Sequence, residues 1–131
     1  MSEENVEKAY RAIDALNRRD LDAFLDLMDE NVESVSRIVA IEGGLHGHDG
    51  VRRWWESWFG IFPDYKIEVQ EIRDLGDVLI GTLRAVGHGG GAELPFQDQI
   101  FHVSRWREGK IVWWQVVYTE TEALEAAGLS E

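Results

Sequence analysis

The sequence predicts an α+β domain in which helices lie on one face of a curved antiparallel sheet. Three observations predict it. Apolar residues recur at three- and four-residue steps through the first third of the chain, they alternate in twos through the second half, and glycine or proline marks the changes of period.

Val6, Ala9, Tyr10, Ile13 and Leu16 form the first helical stripe, with Glu, Lys and Arg between them, and Asn17-Arg18-Arg19 ends it. Asp20 is placed to cap a second helix whose inward face is Leu21, Phe24, Leu25 and Met28. A link that short makes an αα-hairpin. From Asn31 the period changes, and Val32, Val35 and Ile38-Val39-Ala40-Ile41 read as a first strand, broken by Gly43-Gly44 and Gly47. A third helix starts near His48-Asp49 and shows Val51, Trp54, Trp55, Trp58, Phe59 and Phe62 on one broad face. Pro63 stops it, since the ring disfavours helical backbone in the residue before it.

The strands follow. Tyr65 to Arg73 turns Ile67, Val69 and Ile72 inward, Gly76-Asp77 makes a turn, and Val78 to Gly87 returns. Gly87-His88-Gly89-Gly90-Gly91 reads as a flexible hairpin loop and not a phosphate cradle, because no helix N-terminus follows it. Phe96 to Trp106 and Ile111 to Thr119 complete the sheet, and Thr121 to Leu129 predicts a short final helix ending at Gly128. With no repeat or linker, residues 1–131 read as a single domain.

The composition narrows the function classes. At 44% hydrophobic residues the 131-residue chain holds enough apolar material for a core. It has no cysteine, which excludes disulfides, thiolate metal sites and a cysteine nucleophile. No apolar run approaches the ~20 residues that span a bilayer. MSEENVEK lacks a basic-then-apolar leader, so the expectation is a cytoplasmic protein. A net charge of -12 repels nucleic acid and anionic membranes. His46 and His48 lack a third ligand on their element, so no metal site is expected, and no Gly-x-Ser-x-Gly elbow is present.

The ordered set Gly47-His48-Asp49-Gly50-Val51-Arg52-Arg53-Trp54-Trp55, Phe62-Pro63-Asp64-Tyr65, Gly76-Asp77-Val78, His102-Val103 to Gly109-Lys110-Ile111-Val112 and Glu122-Ala123-Leu124-Glu125-Ala126-Ala127-Gly128-Leu129 resembles the SnoaL-like branch of the NTF2-like (nuclear transport factor 2, ketosteroid isomerase-like) superfamily. The resemblance implies a cone: a sheet wrapped around three helices of the N-terminal half, with an internal pocket, commonly in a homodimer and without a cofactor. The superfamily holds polyketide cyclases, isomerases, epoxide hydrolases, dehydratases and proteins with no catalysis, so function must be read from the pocket.

The turn Arg107-Glu108-Gly109, taken as a three-residue hairpin, pairs Trp106 with Lys110. His102 then lies opposite Trp114, Ile100 opposite Val116 and Asp98 opposite Tyr118. Alternation puts Asp98, Ile100, His102, Ser104, Val112, Trp114, Val116 and Tyr118 on the pocket face. Phe101, Val103, Trp113 and Val117 fall on the other, where an exposed apolar patch would make a homodimer interface. In SnoaL-like cyclases a histidine on the penultimate strand and an aspartate on the last form the acid/base pair. His102 matches that histidine, but Val116 occupies the aspartate position and Thr119 the other frequent acidic one.

His102 is therefore a candidate general base or acid, or a group that only orders the pocket by hydrogen bonding. Asp98, ~13 Å along the same face, is a pocket-mouth acid or a solvated residue. Glu33 and Glu42 flank the first strand where isomerase-like members carry their base; Glu42 is that base or a loop carboxylate. Trp54, Trp58, Phe62, Tyr65, Ile100, His102, Ser104, Trp114, Val116 and Tyr118 are the expected ligand-binding residues. Two readings follow: a pocket for a hydrophobic small molecule, with the chemistry open, or a cofactor-independent cyclase, isomerase or epoxide hydrolase using His102 on an apolar, even polycyclic, substrate.

Overall fold

The computed structural model describes residues 2–35, 45–86, 88–89, 92–93 and 99–128. Its elements run α1 (Ser2–Arg18), α2 (Leu21–Asp26), β1 (Met28–Val35), β2 (Leu45–His46), α3 (Gly47–Ile61), β3 (Lys66–Asp74), β4 (Val78–Val86), β5 (His88–Gly89), β6 (Ala92–Glu93), β7 (Gln99–Arg107), β8 (Lys110–Val117) and α4 (Glu120–Ala126). Glu42 and Asp98, with the expected strand residues Ile38 to Ile41, lie outside the described residues. Gly87, Gly90 and Gly91 do so too; around them β5 and β6 pair as an antiparallel ladder.

The main sheet has the order β2-β1-β8-β7-β4-β3. β1 lies parallel to β8, which makes the sheet mixed, and the other neighbours are antiparallel. Asp20 caps α2 by accepting from the Ala23 N–H at 3.1 Å. β1 begins at Met28, earlier than the period change suggested, and Met28 is buried at 2% exposure. In β3 a bulge between Val69 and Glu71 resets the alternation, which is why Ile72 continues the inward row of Ile67 and Val69.

The β7–β8 turn differs from expectation. Glu108 and Gly109 both take positive φ, 50° and 77°, so the loop has two residues and pairs Arg107 with Lys110. A bulge then leaves Val112 unpaired, and beyond it His102 faces Val116 and Ser104 faces Trp114. The expected pairings of His102 with Trp114 and Trp106 with Lys110 are thus corrected. The displacement is an even number of residues past the bulge, so the face assignments there survive. Before the bulge they do not. Ile111 turns into the core at 5% exposure, while Val112 lines an outer groove.

The inner face packs beneath α1, α2 and α3 as one apolar core. The outer face was expected to be exposed and is not. Phe101, Val103 and Val117 are buried with Ile80 under Ala123 of α4 and its C-cap residue Ala127, and Trp113 is half-buried beside them, under the Arg105 guanidinium. The apolar patch from which a dimer through Phe101, Val103, Trp113 and Val117 was expected is therefore covered by the chain's own last helix, which carries its apolar residues on the side that meets the sheet. No described helix is long and apolar enough to cross a membrane.

Candidate functional site

His102 sits mid-strand on β7, between Gly81 of β4 and Val116 of β8, and points under the helices. Two small spaces meet there, since His102 and Leu16 line both. The larger, about 60 Å³, lies between α1 and the β3–β4–β7 wall, with Ala9, Ala12, Ile67, Leu79, Gly81 and Ser104 among its lining. The smaller, about 10 Å³, lies toward α3 and is enclosed by Trp54, Trp58, Tyr65, Ile100, Val116 and Tyr118. Among the described residues neither is lined by Asp, Glu, Lys or Arg.

Aromatic rings account for the lack of room. Trp54 stacks on Trp58 at 6.1 Å and meets the edge of Trp114 at 5.0 Å. Phe24 closes on Trp114 at 5.6 Å, and Trp58 meets Tyr65 edge-on at 5.0 Å. The Trp54 and Trp114 indole nitrogens are buried with no hydrogen-bond partner among the described residues. A drug-sized ligand needs roughly 300 Å³ or more, so the polycyclic substrate considered from the sequence has no space in this arrangement.

His102 is half-buried, and its ring lies 6.4 Å from Trp114. Burial pulls its pKa down from 6.5 to about 4, because the imidazolium would lose hydration. At neutral pH the ring is uncharged, with one nitrogen donating and the other accepting. Burial, reinforced by Tyr118, pushes the Tyr65 phenol up from its usual value, so it stays protonated. The site can therefore accept a proton from an acid or exchange hydrogen bonds, and it carries no formal charge of its own.

Nine of the ten ligand-binding residues expected from the sequence line one space or the other. Phe62 does not; it packs on Trp58 at 4.9 Å, behind the lining. The sequence reading missed the α1 contribution. Ala9 and Ala12 lie on the inward stripe, and two alanines where neighbouring positions hold larger residues were the available signal. Asn17 and Arg19 fix α1 over the site. The Asn17 amide donates to Ile67 O at 2.8 Å and accepts from Ile67 N at 2.9 Å. Arg19, at φ 63°, donates to the carbonyls of Leu16, Pro63 and Tyr65 and lies 3.8 Å over the Phe59 ring. His46 and His48 diverge: His46 pairs with Glu33 at 2.8 Å, and His48 bonds Met28 O at 3.0 Å. Glu33, on β1 between β2 and β8, is thereby engaged in an exposed pair and lines neither space beside His102.

A family model for the SnoaL-like domain matches residues 9–114. No curated protein matches the chain. Solved structures share the fold. Bal32a from a soil-derived mobile gene cassette aligns at TM-score 0.78 and 19% identity, over 95% of this chain and 96% of that one. A protein of ketosteroid isomerase-like fold from Catenulispora acidiphila, solved with trimethylamine, aligns at 0.75 and 19% identity over 94% and 93%. An NTF2-like protein of unknown function from Burkholderia pseudomallei aligns at 0.73 and 22% identity over 93% and 95%.

Proposed function

The chain belongs to the SnoaL-like domain family, and within it we propose that this member binds a small, uncharged, apolar molecule in the space beside His102. The observation that carries the reading is the cross-strand pair His102–Val116. Where the family's acid would complete a proton-transfer pair, a valine methyl row faces the imidazole, and the surrounding lining is aliphatic and aromatic. Such a wall favours burial of apolar surface, at about 25 cal/mol per Å², over ion pairing. A space of about 60 Å³ suits a ligand smaller than a fused-ring polyketide.

Tryptophan fluorescence tests it, because Trp106 and Trp114 line the larger space and Trp54 and Trp58 the smaller one beside it. Titration with neutral one-ring compounds should give a saturable change in the wild type. Gly81→Ala should weaken it severalfold, since a methyl there enters the space with ordinary contacts of 3.7 Å to Leu83 and 3.9 Å to His102 O. A wild type silent to the whole panel overturns the reading.

One observation favours a second reading, a cofactor-independent isomerase or hydrolase. The neutral imidazole keeps a free lone pair at pH 7, which would serve as a base. Turnover lost in His102→Gln, with ligand affinity retained, would select this reading over simple binding.

A further inference from the structure

Ser104 is the second polar group on the wall of the larger space. It stands two residues from His102 on the same strand face, roughly 7 Å away by strand rise. Its hydroxyl accepts a hydrogen bond from Trp106 Nε1 at 2.9 Å. A hydroxyl has one hydrogen to donate and two lone pairs. The indole holds the oxygen in place through one lone pair, and among the described residues nothing accepts the hydrogen. The remaining lining of this space is Ala, Ile, Leu, Met, Phe and Trp, with Gly81 at the strand centre.

This wall discriminates by what it lacks as much as by what it offers. An ionic ligand would lose its hydration with no opposite charge among the described lining residues to meet it. A pure hydrocarbon would seal the Ser104 hydrogen away from any acceptor, which costs more than making the bond returns. A neutral ligand carrying an acceptor oxygen avoids both penalties. We infer that the site selects uncharged carbonyl compounds, ketones or esters, through a hydrogen bond donated by the Ser104 hydroxyl, which the Trp106 indole holds in position. The inference rests on the binding reading above and names the ligand class for that same site. Ser104 is its specificity-determining residue.

The test uses a matched pair, cyclohexanone and methylcyclohexane, titrated by tryptophan fluorescence into the full chain as wild type, Ser104→Ala, Ser104→Cys and Ser104→Thr. Comparing each variant with wild type for one probe removes the difference in how the probes partition from water. Ser104→Ala should weaken cyclohexanone about tenfold, the worth of one hydrogen bond, and leave methylcyclohexane unchanged or tighter. Ser104→Thr, which keeps the hydroxyl, should restore the ketone. Should circular dichroism show Ser104→Ala unfolded, Ser104→Cys, a weak donor of similar shape, should show the same loss confined to the ketone. Equal losses for both probes, or none for either, overturn the role of Ser104 while leaving the binding reading intact. A wild type that binds neither probe overturns the binding reading, and this inference with it.

Discussion

The inner face of the sheet is covered by large rings, and the outer face by alanines. On the inner side Trp54, Trp58, Phe24 and Trp114 meet at angles from stacked to edge-on and fill most of the interior toward α3, while Ala9 and Ala12 of α1 border the larger space. On the outer side Ala123 of α4 and its C-cap residue Ala127 form one cluster with Val103, Val117, Phe101 and Ile80, so small residues fit against a largely β-branched surface. The same two strands, β7 and β8, supply both surfaces by alternation. What differs is the cover: three helices enclose two small spaces with polar groups on their walls, and α4 sits on an apolar cluster. The spaces beside His102 lie on the inner side, and on the outer side the last helix packs on an apolar cluster.

The largest expected effect follows from the rings. Trp54→Ala should cost about 3–5 kcal/mol in urea unfolding, as for other buried tryptophans. A cost under about 1 kcal/mol would mean that the inner cluster is looser than its contacts indicate. The His102 charge comes next. The folded-state pKa of about 4 lies below the unfolded 6.5, so the unfolded chain binds the extra proton between these values. Stability is full above about pH 6.5 and falls as pH drops toward 4, by up to about 3 kcal/mol. His102→Phe should remove that part of the acid sensitivity, read as the wild-type-minus-variant difference in urea midpoint at pH 7 and pH 4.5. Parallel pH curves for the two proteins would contradict the enclosed imidazole.

Asn17→Ala strips both hydrogen bonds from the Ile67 backbone and should cost about 2 kcal/mol. It should also weaken ligand binding, because α1 is the roof of the larger space; unchanged affinity would detach the roof from the site. The smallest effect belongs to the outer face. Thr119 caps α4 by accepting from the Glu122 N–H at 3.1 Å, and Thr119→Ala should cost about 1 kcal/mol. Hydrogen exchange should quicken in α4 while ligand affinity stays constant. Altered affinity would show that the two faces are coupled.

Much of this comparison can be read in the sequence, for identifiable reasons. The Trp54, Trp55 and Trp58 spacing declares a broad buried helix face, and Asp20 and Pro63 mark helix ends by chemistry that depends on few neighbours. The pocket face of β7 and β8 is recoverable even from a wrong hairpin, because a turn misjudged by one residue and an unforeseen bulge add to an even shift. Ile111 and Val112 show the limit, since their faces depend on the bulge itself. The placement of α4 is not legible. Its stripe shows that it must cover something, but which sheet face receives it depends on where the chain leaves β8. The narrowness of the interior is equally hidden, because residue identities give ring sizes and not the angles at which rings meet.

The parallel pairing of β1 with β8 has a consequence for how the molecule is made. β1 leaves the ribosome well before β8, with α3 between them. At synthesis rates of roughly 5–20 residues per second, the tryptophan face of α3 waits a few seconds for the strands that will cover it. Closing the sheet joins segments far apart in sequence, a topology that folds slowly. The ring-rich inner face that becomes the core of the mature protein is therefore, during birth, its stickiest surface. Nascent chains of this protein should depend on chaperone protection until β8 has emerged.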